Sequence, residues 1–109
     1  MNYQHKYLAQ GRWNELTLCE QFANIGSEVE RTISWREKNH EFSQKAFVRC
    51  LDLIDLTYKD QKNKFRLREI SRVREALVDY FFGENQYQSS DSLWQKYFFS
   101  FTYKARKNN

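Results

Sequence analysis

Arg74 is the residue whose position most needs a chemical explanation. Helical phasing through residues 64–82 puts it on one face with Ile70, Leu77, Val78 and Phe81, while Arg68, Arg72, Glu75 and Asp79 gather elsewhere. A guanidinium on an apolar face must be paired, snorkel from the core margin, or meet an anion in a cleft. Glu28 is one candidate partner, because it flanks the apolar stripe of an earlier helix near Arg31. Asp52 and Asp55 are the others, two carboxylates three residues apart on one helix face. A dry pair predicts a loss above about 2 kcal/mol on Arg74→Ala. Arg74 with two acids in a cleft would instead bind an anion, or support acid–base or magnesium chemistry. The plainer reading of the two aspartates is a solvated face on which Asp55 and Lys59 form an i,i+4 pair.

Lys64, Arg68 and Arg72 form a second group. Their spacing lines them up on one helix face, where they could follow a phosphate backbone. Glu75 and Asp79 continue the same face and weaken that reading. There is no zinc-finger, RRM or KH signature, and the helices read as too long for a helix-turn-helix.

Enzymatic signatures are missing as well. The chain has no glycine-rich phosphate loop, no H-E-x-x-H, no C-x-x-C and no G-x-S-x-G. With His5 and His40 alone, a histidine-rich metal site is excluded. Glu37-x-x-His40 has the spacing of half a di-iron motif, but it has no second copy and sits at a helix end. Cys19 and Cys50 fall inside apolar helical patterns and read as free thiols used as small hydrophobes. No metal and no cofactor is implied.

The third group is aromatic. Of 19 aromatic residues, 10 lie between Tyr80 and Tyr103. Trp94, Tyr97, Phe98 and Phe101 make one helix face, whereas Phe99 and Tyr103 point the other way. A helix greasy on two faces in a small protein needs a second surface to cover it, and self-association is the simplest cover. Val48 and Leu56, which fall outside their own helix's apolar arc, are candidates for the same surface.

These side chains must be held by helices, since no strand alternation occurs. Apolar spacing predicts helices over residues 14–37, 41–59, 64–82 and 90–106. Thr17 with Glu20 is a capping box for the first, with Asn14 an alternative cap. Gly26 lies on the edge of that helix's apolar stripe, where a close helix crossing would account for it. Lys38, Asn39 and His40 read as a turn and residues 60–63 as a polar link. Gly83 is placed to end the third helix, residues 84–90 read as a loop, and Ser89 or Ser90 can cap the fourth. Residues 107–109 are expected to fray. Four such helices with short links predict a single all-α domain over residues 1–109, an up-down four-helix bundle or a closely related array.

Composition agrees. A chain of 109 residues without proline and with three glycines suits one helical domain rather than a loop-rich fold. The charge is uneven: 7 Lys/Arg against 8 Asp/Glu up to Tyr58, then 11 against 6 from Lys59 onward. Residues 59–74 alone carry 7 basic and 2 acidic side chains, an asymmetry that suits a polyanionic partner. Residues 1–10 lack the basic and apolar pattern of a secretory leader, and no apolar run approaches a membrane span, so a cytoplasmic protein is expected.

At residues 24–28 (NIGSE), 53–56 and 72–83 (RVREALVDYFFG), the chain resembles a small family of uncharacterised bacterial and archaeal proteins of similar length. The resemblance implies an all-helical single domain and no established activity, and it assigns no site residue. The expectation is a self-associating, non-enzymatic structural or interaction protein. One rival is a nucleic-acid-associated protein using Lys64, Arg68 and Arg72. The other is a small enzyme or anion binder built on Arg74 with Glu28, Arg31, Asp52 or Asp55.

Overall fold

The computed structural model describes residues 11–107. The readings made for residues 1–10, His5 among them, and for Asn108 and Asn109 lie outside the described residues. Four helices account for most of the remainder: α1 (Leu18–Trp35), α2 (His40–Lys59), α3 (Leu67–Phe82) and α4 (Asp91–Lys107). No strand occurs among the described residues.

Three of the four helices, α1, α2 and α4, begin where a side chain satisfies an orphaned backbone amide of the first turn. Thr17 starts α1 with a complete capping box: its hydroxyl accepts from the Glu20 amide at 3.1 Å, and the Glu20 carboxylate accepts from the Thr17 amide at 2.8 Å. Asn14, the alternative cap, sits instead in a one-turn 3-10 helix, Trp13–Glu15. Asn39 caps α2 by accepting from the Phe42 amide at 3.1 Å. A second one-turn 3-10 helix, Gln61–Asn63, occupies the link to α3, and the Arg66 amide closes on the Asn63 carbonyl at 2.8 Å. For that reason α3 starts at Leu67 rather than at 64. Gly83 ends α3, its amide donating to the carbonyls of Val78 and Asp79, both at 3.0 Å. A Cβ at position 83 would lie 2.9 Å from the Asp79 carbonyl oxygen, so the close approach itself selects glycine. Ser90 starts α4 by accepting from the Leu93 amide at 3.1 Å, and α4 continues through Lys107, which was expected to fray.

The order of helix ends gives the topology. Arg36, just past the end of α1, meets Asp91 at the start of α4, and Tyr80 near the end of α3 reaches the same aspartate. At the opposite end, Gln21 near the start of α1 meets Asp60 just past the end of α2. Helices therefore alternate in direction, as in an up-down bundle. α1 packs most extensively, against α2 on one side and α4 on the other, and α3 docks on α2 and closes toward α4.

The core is made by the faces that the apolar spacing marked. Phe22, Ile25 and Val29 of α1 meet Phe47, Cys50, Leu53 and Ile54 of α2, Ile70, Val73 and Leu77 of α3, and Trp94 and Phe98 of α4. Phe22 is the aromatic hub, with its ring centroid 4.8 Å from that of Phe101 and within 6.5 Å of Tyr97 and Phe98. Gly26 admits α4: a Cβ there would lie 2.6 Å from the Phe98 Cβ, the close crossing expected of it.

Candidate functional site

The bundle offers four polar or apolar constellations, each traceable to the elements that hold it. The first was not foreseen. Residues 60–63, read as a polar link, contain two buried side chains, Asp60 and Asn63. Gln21 of α1 donates to the Asp60 carboxylate at 2.8 Å and to the Trp13 carbonyl at 3.0 Å. Asn63 donates to the Gln21 side-chain oxygen at 2.9 Å and to the Thr57 carbonyl at 3.0 Å. The buried Trp13 indole donates to the Thr57 hydroxyl at 3.1 Å. Lys62 pairs with Asp60 and also donates to the Asn14 carbonyl at 3.0 Å. The network joins the segment before α1, α1 itself and the α2–α3 link. Burial opposes charge on Asp60, but hydrogen bonds from Lys62 and Gln21 outweigh it and hold the carboxyl below the usual aspartate range. Every member is satisfied, which marks the site as a structural clasp rather than a reactive centre.

The second constellation is the group of charges flagged in the sequence, and the structure divides it in two. Glu28 is the buried acid, and it pairs with Arg31 at 3.0 Å and with Arg49 of α2 at 3.4 Å. Arg74 goes instead to Asp55, with Nε at 2.9 Å from Oδ1. That pair is not in a dry core, since 43% of the Arg74 side chain and 46% of the Asp55 side chain remain exposed. Arg74 thus snorkels from the core margin, and Asp55 raises its already high pKa while burial opposes it. The two residues edge a groove of about 480 Å³ between α2 and α3, walled by Ile54, Tyr58, Ile70 and Val78. Its guanidinium is already engaged by a carboxylate, so an incoming anion would have to displace Asp55. Glu37 and His40 are both exposed near the α1–α2 turn.

A third set closes the other end of the bundle. Asp91 accepts from Arg36 at 2.5 Å and from the Tyr80 hydroxyl at 2.6 Å, and the Arg36 guanidinium lies 5.9 Å from the centre of the Phe81 ring. Burial works against the Asp91 carboxylate, but these two donors prevail and lower its pKa. Burial and Asp91 together raise the pKa of Tyr80.

The fourth is the outer face of α4. Phe99 and Tyr103 stack with ring centroids 6.5 Å apart and are 65% and 56% exposed. Phe99 also borders a groove of about 310 Å³ between α1 and α4, lined by Gly26, Val29, Trp94 and Phe98. Trp94 carries the one buried side-chain polar atom without a hydrogen-bond partner among the described residues, its indole nitrogen. Of the residues grouped with this face, Val48 is half-exposed on α2, whereas Leu56 packs against the core.

Lys64, Arg68 and Arg72 are all exposed, as their spacing implied, and no ion pair among the described residues engages them. Sequence reasoning missed the residue beside them. Phe65, in the link before α3, is 87% exposed, with the Lys64 ammonium 5.2 Å from its ring centre. Its place among Lys62, Lys64, Arg66 and Arg68 was the available signal.

Among the described residues no three His, Cys, Asp or Glu side chains gather as metal ligands, and no helix is long and apolar enough to cross a membrane. Comparison of the chain with protein families, with curated proteins and with solved structures finds no match, in keeping with a resemblance to proteins of no established activity.

Proposed function

We propose that this is a non-enzymatic interaction protein that self-associates through the outer face of α4. The observation that carries the reading is the stacked, exposed pair of Phe99 and Tyr103 beside the α1–α4 groove. Two large aromatic side chains facing water cost solvation that a partner surface would recover. Aromatic residues of this kind anchor interfaces when a neighbouring pocket receives them.

A second copy fits this face by charge. The end of α4 carries Lys104, Arg106 and Lys107, and the neighbouring edge of α1 presents Glu30, which accepts from Gln95 of α4 at 3.0 Å. A two-fold arrangement with antiparallel α4 helices sets basic ends against acidic edges in both halves at once. Phe99 of each copy would then enter the groove of the other.

Sedimentation equilibrium tests the reading directly. The wild-type chain is expected to dimerise at micromolar concentration, and Phe99→Glu with Tyr103→Glu to give a folded monomer. A wild-type chain that stays monomeric up to about 1 mM overturns it.

A further inference from the structure

We infer that the corner formed by Phe65 and the first turns of α3 is a binding site for single-stranded nucleic acid, with Phe65 as the stacking platform. Phe65 is 87% exposed, the most exposed large apolar side chain among the described residues. It contributes nothing to the core, yet it is flanked by Lys62, Lys64, Arg66 and Arg68 with no acid between them. The Lys64 ammonium lies over the ring, 5.2 Å from its centre, and the exposure of the side chain leaves the rest of the ring open to solvent. Such a ring, offered in a basic setting, is the element on which proteins stack unpaired bases.

The cations have the disposition that a backbone needs. Lys62 and Arg66 are held by Asp60 and Glu69, whereas Lys64, Arg68 and Arg72 have no ion-pair partner among the described residues. Arg68 and Arg72 are one turn apart on α3, a step of about 6 Å along the helix axis. Asp79, one of the two acids that continue this face, is engaged by the loop over residues 84–90. Asp79 accepts from the Gln86 and Tyr87 amides at 2.8 and 3.1 Å. Glu75 and Asp79 lie about 10 and 16 Å along the α3 axis from Arg68, so they face the far end of the helix rather than the end that holds Phe65. A membrane surface fits less well, because Phe65 stands alone: its neighbours are charged or amide side chains, and Leu67 is partly buried. A duplex fits less well too, since its bases are already stacked and give the ring nothing to receive.

The test is fluorescence anisotropy with the full chain and a labelled oligothymidylate of about 20 nucleotides at low salt. A duplex of equal length and vesicles containing phosphatidylserine are run in parallel. The expected result is binding of the single strand in preference to both. Phe65→Ala should weaken it about fivefold or more without changing the helical circular dichroism, and Phe65→Trp should retain it. The logarithm of affinity should fall with the logarithm of salt at a slope of about −2, and Lys64→Gln with Arg68→Gln should flatten that slope. No single-strand binding up to about 100 μM protein overturns the proposal. So does equal binding by Phe65→Ala, which would leave only non-specific charge attraction, and so does binding to vesicles or duplex alone.

Discussion

Gly26 of α1 and Phe98 of α4 meet so closely that a Cβ on residue 26 would lie 2.6 Å from the Phe98 Cβ and 2.9 Å from its Cγ. A Cβ is fixed by the backbone, so a different Phe98 rotamer cannot relieve the contact and α4 itself must move. Gly26→Ala would gain about 1 kcal/mol in an exposed helix. Here it is expected to destabilise by about 1–2 kcal/mol, because overpacking exceeds the propensity gain. Urea unfolding checks the sign, and a variant more stable than wild type would show that α4 is free to shift.

The Arg74–Asp55 pair and the Glu28–Arg49 pair should differ sharply in what mutation costs. Both side chains of the Arg74–Asp55 pair are more than two-fifths exposed, so Arg74→Ala should cost less than about 1 kcal/mol. This replaces the larger loss that a dry pair predicted. The Glu28 side chain is only 7% exposed and its partner Arg49 18%, and Glu28→Ala strands that arginine. A loss of about 3 kcal/mol is expected, read as a lower urea midpoint at unchanged m-value. Equal losses for the two variants would contradict this assignment.

Much of the fold could be read from local pattern. The apolar stripes, the Thr17–Glu20 box, Gly83 and the Asn39 turn each depend on residues within about one turn of each other, a range at which spacing is informative. What escaped depended on residues far apart in sequence. Asp60 and Asn63 look like solvated link residues until Gln21, some forty positions earlier, supplies a partner to both. Arg74 could be placed on the inner side of α3, but the choice between Glu28 and Asp55 depends on how α2 is rotated, which periodicity leaves open. Phe65 was overlooked because apolar spacing placed it in the first turn of the third helix, whereas α3 starts at Leu67 and leaves it in the link, 87% exposed.

The Asp60 clasp should make stability depend on acid. Burial opposes its charge, yet Lys62 and Gln21 together lower its pKa in the folded chain. A folded pKa below the unfolded value stabilises the fold fully above the unfolded pKa, near 3.9, and that contribution is lost as pH falls through the folded value. Asp91, lowered through Arg36 and Tyr80 against burial, acts in the same direction. Unfolding midpoints should therefore be flat near neutrality and fall below about pH 4. Asp60→Asn keeps the shape but leaves Lys62 and the Gln21 amide poorly matched, so a loss of about 2–3 kcal/mol at pH 7 and a shallower acid limb are expected. An unchanged acid limb would remove Asp60 from this role.

Cys19 and Cys50 should differ sharply in reactivity. Cys50 is fully buried at the junction of α2 with its neighbours, and burial pushes its thiol pKa up, with the negative charge of Glu28 adding to the rise and Arg74 working against it. Thiolate is the reactive form, so Cys50 is closed to modification both by access and by ionisation. Cys19, in the first turn of α1, is partly exposed. With an aromatic disulfide reagent in native buffer, one thiol should react promptly and the second only at the rate at which the bundle opens. Cys19→Ser should abolish the prompt phase, and Cys50→Ala should leave it unchanged. Urea should accelerate the slow phase as it lowers stability, because reaching Cys50 requires α2 to separate from the core it shares with Phe22, Ile25 and Leu77. Two prompt thiols in the native chain would mean that this part of α2 opens independently of the rest of the bundle.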